Sequence, residues 1–314
     1  MFKAARRFLA TTTVFGSFLL APVAFADQAQ RLEMAPSSAP ESHAGSQGPA
    51  MWVIRDEDST IYVYGSFHFL KPETQWQQAH VDAAFASADE VWFEATDIDD
   101  VDQAQYLIQQ HGMSPERPLS TYLSAEDNER LQALLVLLQL PPAALESSRP
   151  WLANMNLAVV QLIAAGYRPD SGVDKVLMLR AREQGKPMKG LESLAEQIMI
   201  FSSISDEAQV EALRDSLSET DEVTTVLSEL LTAWSTGDMD SLGSEMVDSL
   251  KEKQPEIYDA LFTRRNDNWT QQIKTILAGE GTSFIVVGAA HLAGENSVQS
   301  MLAEEGITSE RVTH

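Results

Sequence analysis

Hydrophobic and polar positions along this chain follow two rhythms. Short runs of strand length and content stand at MWVIR (51–55), IYVYG (61–65), EVWFE (90–94), KPMKG (186–190), SFIVVG (283–288) and RVT (311–313). The first two flank Asp56 to Ser59, a polar connector that suits a hairpin. The stretches between them carry helical periodicity instead. Ser124 caps the run AEDNERLQALLVLLQL, which stops at Pro141-Pro142, and Pro150 opens WLANMNLAVVQLIAAG. Residues 172–184, 194–202, 207–234, 238–250 and 255–278 also read as helices. The pattern predicts an α/β fold: a mixed central sheet with a large helical middle section.

Two parts of the chain repeat one another. Residues 61–94 read strand, Gly-x-x-His, amphipathic helix, strand, and residues 284–313 read the same way. His68 to Val91 spans 23 residues and His291 to Val312 spans 21, enough for a loop and about four helical turns in each. Two pseudo-symmetric units with matching histidines are therefore expected. Each histidine follows the carboxyl end of its strand, where open α/β sheets form binding sites, and the preceding glycine lets the backbone turn there. His68 belongs to Gly65-Ser66-Phe67-His68 and His291 to Gly288-Ala289-Ala290-His291.

Glu94 ends the strand EVWFE between these histidines. His68, His291 and Glu94 together make a two-histidine, one-carboxylate set, the ligand type of catalytic zinc and of non-haem iron or manganese. A cation so held activates water and polarises a carbonyl, which points to hydrolysis. Arg265 falls on the apolar face of its helix with Tyr258, Leu261, Phe262 and Trp269. It is a candidate clamp for a substrate carboxylate or an oxyanion, or else half of a surface salt bridge, as its neighbour Arg264 is expected to be. Glu192 is either an assisting acid or general base, or a cap for the helix that begins beside it. Asp174 reads as first-turn helix stabilisation. His43, His80 and His111 have no partner pattern.

Composition narrows the partners. The chain has 314 residues, 44% hydrophobic, with 22 Lys plus Arg against 46 Asp plus Glu and a net charge of −24, so a phosphate backbone is excluded as a partner. Peptide or small-molecule substrates remain. With no cysteine, there are no disulfides, thiol nucleophiles or thiolate metal sites, and any metal must rest on His, Asp or Glu. Lys3, Arg6 and Arg7 precede an apolar stretch closing on Ala24-Phe25-Ala26, the pattern of a cleaved signal peptide over residues 1–26. Residues 27–49 read as a flexible linker, and 50–314 as one large domain. The expected product is periplasmic or secreted and keeps no stable membrane anchor. Oligomeric state has no signature in the sequence.

The segments YVYGSFHFL (62–70), VWFEATD (91–97), GVDKVL (172–177), KGLESLAEQ (189–197), RRNDNW (264–269) and VVGAAHLAGENSVQSMLAEEG (286–306) occur in one order over nearly all of residues 50–314. Together with the signal peptide they resemble the TraB/GumN family, which is related to the TIKI proteins and PrgY. The resemblance implies metal-dependent proteolysis, as in the TIKI relatives, with a site carried here by His68, His291 and Glu94. It also draws attention to Arg265 as a polar partner. The wider superfamily is similar to erythromycin-esterase-like and ChaN-like folds, and the latter implies haem as an alternative ligand of the two histidines without turnover. A metal-free hydrolase with histidine as base is a third possibility.

Overall fold

A computed structural model describes residues 48–218 and 223–313. The expected signal peptide and all but the last residues of the expected linker lie outside this range. The elements run β1 (Met51–Arg55), β2 (Ser59–Ser66), α1 (Ala79–Ser87), β3 (Glu90–Phe93), α2 (Val101–His111), α3 (Ala125–Leu137), α4 (Pro150–Ala164), α5 (Val173–Glu183), β4 (Met188–Gly190), α6 (Leu194–Ser203), α7 (Asp206–Ser218), α8 (Val223–Thr236), α9 (Arg264–Leu277), β5 (Gly281–Gly288), α10 (Val298–Glu304) and β6 (Ser309–Arg311). Between α8 and α9 the chain is helical almost throughout, but Gly243–Asp248 and Asp259–Thr263 are π-helical turns.

The six strands form one mixed sheet in the order β4-β3-β5-β2-β1-β6. β2, β5, β3 and β4 are parallel to one another, while β1 returns antiparallel to β2 and pairs antiparallel with β6. The β1–β2 connection is the expected hairpin, tied by the Asp56 carboxylate accepting from the backbone N–H of Ser59 at 2.8 Å. The two strand–GxxH–helix–strand stretches differ in their crossing. The first passes over β5 alone to reach β3, and the second passes over β2 and β1 to reach β6.

Both faces of the sheet are covered, as near-continuous hydrophobic strands require. Tyr64, Val91, Phe93, Phe284 and Val286 face a large core shared with the helical middle section. The alternate residues Ile61, Val63, Ile285 and Val287 pack on the other side with Trp269, Ile273 and Leu302, from α9 and α10. A third cluster joins α3, α4 and α7 through Leu131, Leu157 and Leu213.

Boundaries moved where local geometry overrode periodicity. The last strand is Ser309–Arg311, two residues earlier than its hydrophobic content suggests, because it pairs with Trp52 to Ile54. The run 207–234 is represented by α7 and α8, and residues 219–222 between them are outside the described range. The runs 238–250 and 255–278 each contain a π turn, which periodicity cannot register.

Candidate functional site

Parallel strands bring their carboxyl ends to one edge, and the chemistry-bearing residues gather there. His68 follows β2, Glu94 follows β3, Glu192 follows β4 and His291 follows β5. The β3–β4 pairing continues past both strands, with the Glu192 N–H donating to the Glu94 carbonyl at 2.8 Å. Two carboxylates therefore emerge side by side. The three groups expected to meet do meet: a Cβ placed on Gly288 would lie 3.2 Å from Glu94 Oε1, 3.6 Å from His291 Cδ2 and 3.7 Å from His68 Nε2. Gly288 has φ −54° and ψ 133°, open to any residue, so the space and not the backbone explains the glycine.

Arg265 ties the carboxylates together. Its Nε donates to Glu192 Oε1 at 2.9 Å, while Nη2 donates to Glu192 Oε2 and to Glu94 Oε2, both at 2.8 Å. Its Nη1 lies 2.9 Å from His291 Nε2 and donates to the Leu261 carbonyl at 3.4 Å. Every N–H of the guanidinium thus has an acceptor within the protein. In this arrangement no donor of Arg265 faces a site for a substrate carboxylate or an oxyanion. Nor is it a surface ion pair: Arg265 is 2% exposed, whereas Arg264 pairs with Asp259 at 2.7 Å on the surface. Burial alone would make Arg265 easier to deprotonate, but Glu192 and then Glu94 outweigh it and raise its pKa further.

Glu192 is likewise resolved. The cap of α6 is Ser193, reciprocated by Glu196 in a capping box. The Glu192 carboxylate turns inward and accepts from Arg265, from Trp269 Nε1 at 3.1 Å and from Gln197 Nε2 at 3.1 Å. Glu94 Oε1 accepts from the Gly288 N–H at 2.7 Å.

The histidines are held by opposite means. His291 is fully buried between Trp269 and Phe262, with ring centroids at 4.4 and 5.0 Å. Its Nδ1 lies 2.6 Å from Asn266 Oδ1. A guanidinium at Nε2 can only donate, so Nε2 accepts and Nδ1–H donates to Asn266. Burial first, then Arg265 and His68, push its pKa well below the ordinary histidine value. His68 instead places Nδ1 2.9 Å from Asp174 Oδ1. A carboxylate there calls for the proton on Nδ1 and directs Nε2 toward the space at Gly288 as a base.

Asp174, read in the sequence as first-turn helix stabilisation, does occupy the first turn of α5 and also faces His68. Close approach makes this possible. The cap of α5 is Gly172, where a Cβ would sit 2.2 Å from the His68 carbonyl oxygen, and the Val173 N–H donates to the Phe67 carbonyl at 3.0 Å. A cap without a side chain was the available sequence signal. Asn266, Gln197 and Trp269 are further site residues that the sequence did not single out for roles. Asn266 and Trp269 owe their direction to the π turn Asp259–Thr263, which resets the helix just before Arg265.

The donor set does not fit a divalent cation as arranged. Glu94 Oε2 and His291 Nε2 are both engaged by Arg265, whose positive charge stands where a cation would have to approach them. Among the described residues no three His, Cys, Asp or Glu side chains are placed to hold a metal ion. Haem fits no better, because the His291 ring lies between two aromatic rings with its Nε2 engaged. A cleft of about 170 Å³ is lined by Glu192 and Arg265 together with residues that include Glu196, Ile200 and Ala260. No helix among the described residues is long and apolar enough to cross a membrane.

Comparison with known proteins gives two results. The sequence profile described as the TraB/PrgY/gumN family matches residues 50–311. An uncharacterized protein named YbaP from Escherichia coli (strain K12) is 24% identical over 184 residues, 59% of this chain and 67% of that protein, and the YbaP of Shigella flexneri matches to the same extent.

Proposed function

We propose that this chain, which belongs to the TraB/PrgY/gumN family, is an exported hydrolase of peptide or small-molecule amide or ester bonds that uses His68 as its general base. The observation that carries this reading is the Asp174–His68 pair aimed at the space where Glu94 Oε1 and His68 Nε2 converge beside Gly288. His68 Nε2 takes a proton from water as the water oxygen bonds to the substrate carbonyl carbon. Asp174 stabilises the imidazolium that results. The same proton then passes to the leaving amine or alcohol as the carbon–nitrogen or carbon–oxygen bond breaks. Glu94 is held in place by the Gly288 N–H and Arg265 and orients the attacking water. Arg265 and Glu192 act by positioning it. Gln197 Oε1 is buried and has no hydrogen-bond partner among the described residues, so it supplies an acceptor for a polar substrate. Periplasmic or secreted placement rests on the signal-peptide pattern.

The test uses the mature chain with p-nitrophenyl esters and a fluorogenic peptide library as probes, with and without chelator. Cleavage that survives chelation and disappears in His68→Gln is the expected result. Failure of wild type to cleave any probe, or cleavage untouched by His68→Gln, overturns the reading. Activity abolished by chelator and restored by one cation would select the metal-dependent hydrolase instead.

A further inference from the structure

His291 and Glu94, two of the three groups that the sequence pattern and the family resemblance point to as metal ligands, already hold a positive charge between them. Around the Arg265 guanidinium stand His291 Nε2 at 2.9 Å from Nη1, Glu94 Oε2 and Glu192 Oε2 at 2.8 Å from Nη2, and Glu192 Oε1 at 2.9 Å from Nε. One imidazole nitrogen and two carboxylates surrounding a single cation are the donor types of a catalytic zinc site. Arg265, Glu94 and His291 are at most 6% exposed. A second cation entering this space would meet the guanidinium charge at short range in a medium that screens it poorly.

We infer that the Arg265 side chain is the resident cation of this site, that it keeps divalent metal out, and that its removal uncovers a latent metal site formed by His291, Glu94 and Glu192. The guanidinium neutralises one of the two facing carboxylates, which is the electrostatic service a metal would otherwise supply. Its planar fork also holds donors at hydrogen-bond distance, so a metal requires both the departure of Arg265 and a contraction of the donors toward bonds of about 2.0–2.2 Å. His291 Nδ1 is oriented by Asn266, and Glu94 Oε1 by the Gly288 N–H. None of this depends on whether the chain hydrolyses anything.

The experiment measures zinc content of the untagged mature chain after incubation with Zn²⁺ and dialysis, together with the melting temperature in Zn²⁺ and in chelator. Wild type should retain no stoichiometric zinc and melt at the same temperature in both. Arg265→Ala should retain about one zinc per chain and gain a zinc-dependent rise in melting temperature, both lost on adding Glu192→Gln or His291→Gln. If Arg265→Ala does not fold alone, refolding it in Zn²⁺ against chelator gives the same readout, and folding in Zn²⁺ only is the supporting result. Arg265→Lys, which keeps the charge, should stay metal-free. Stoichiometric zinc in wild type that is lost in His291→Gln or Glu94→Gln overturns the inference. So does an Arg265→Ala chain that ignores zinc in both formats.

Discussion

The two Gly-x-x-His motifs start from the same local sequence and end in different electrostatic states. After β2, His68 faces a carboxylate, Asp174. After β5, His291 faces an amide, Asn266, and a guanidinium, Arg265. Burial, and then the Arg265 charge, hold the pKa of His291 well below the ordinary histidine value. Even the glycines diverge. A Cβ on Gly65 would meet Ala289 Cα and Cβ at 3.2 Å, so this glycine lets β2 approach the backbone after β5, whereas one on Gly288 would meet Glu94 Oε1 at 3.2 Å, so that glycine lets the carboxylate and both imidazoles draw together. Repetition in sequence delivers two imidazoles to one place, and the helices that pack on them decide what each can do.

The largest way to break this contrast is to remove the cation from the second motif. Arg265→Ala leaves Glu94 and Glu192 facing each other in a buried space, and urea titration in chelator should show a loss of about 3–5 kcal/mol. A loss below about 1 kcal/mol would mean that the ion cluster is not structural. Exchanging the first motif's base comes next. His68→Gln should lower kcat on the probe ester by roughly 10³-fold, with a melting temperature close to wild type. Equal losses of stability from His68→Gln and His291→Gln would erase the distinction between base and scaffold.

Smaller changes sharpen it. Gly65→Ala should cost about 1–3 kcal/mol by pushing Ala289 away from β2, while Gly288→Ala should displace the Glu94 carboxylate and reduce kcat. An unchanged kcat in Gly288→Ala would contradict placing the reacting groups beside Gly288. The mildest probe is pH. His291 has a folded pKa below its unfolded value of 6.5, so its contribution is complete above that pH. The contribution falls by up to about 1.4 kcal/mol per unit as pH drops further, because the unfolded chain takes the proton that the folded chain refuses. Urea titrations between neutral pH and pH 5 should show this slope in wild type and a shallower one in His291→Gln.

Much of this was legible in the chain. Strand runs ending in glycine and histidine, and one ending in Glu94, placed His68, His291 and Glu94 on one sheet edge, and the structure brings them around Gly288. The apolar helical face containing Arg265 signalled its burial. What stayed hidden depends on directions rather than positions. The saturation of the Arg265 donors requires knowing that Glu94 and Glu192 follow adjacent strands, and no spacing rule relates residues 98 positions apart. Asp174 was masked by its other role in the first turn of a helix. The π turns escape any reading based on a period of 3.6.

The wide turn at Asp259–Thr263 bears on how such a site is adjusted over evolutionary time. Since each residue of a helix advances it by about 100°, the turn works as an indexing step, setting the angle at which the wheel restarts. The ring of Phe262 within the turn links the two sides, stacking on Tyr258 upstream and lying 5.0 Å from His291 beside Trp269. Deleting a single residue there would swing Arg265, Asn266 and Trp269 away from the strand ends at once.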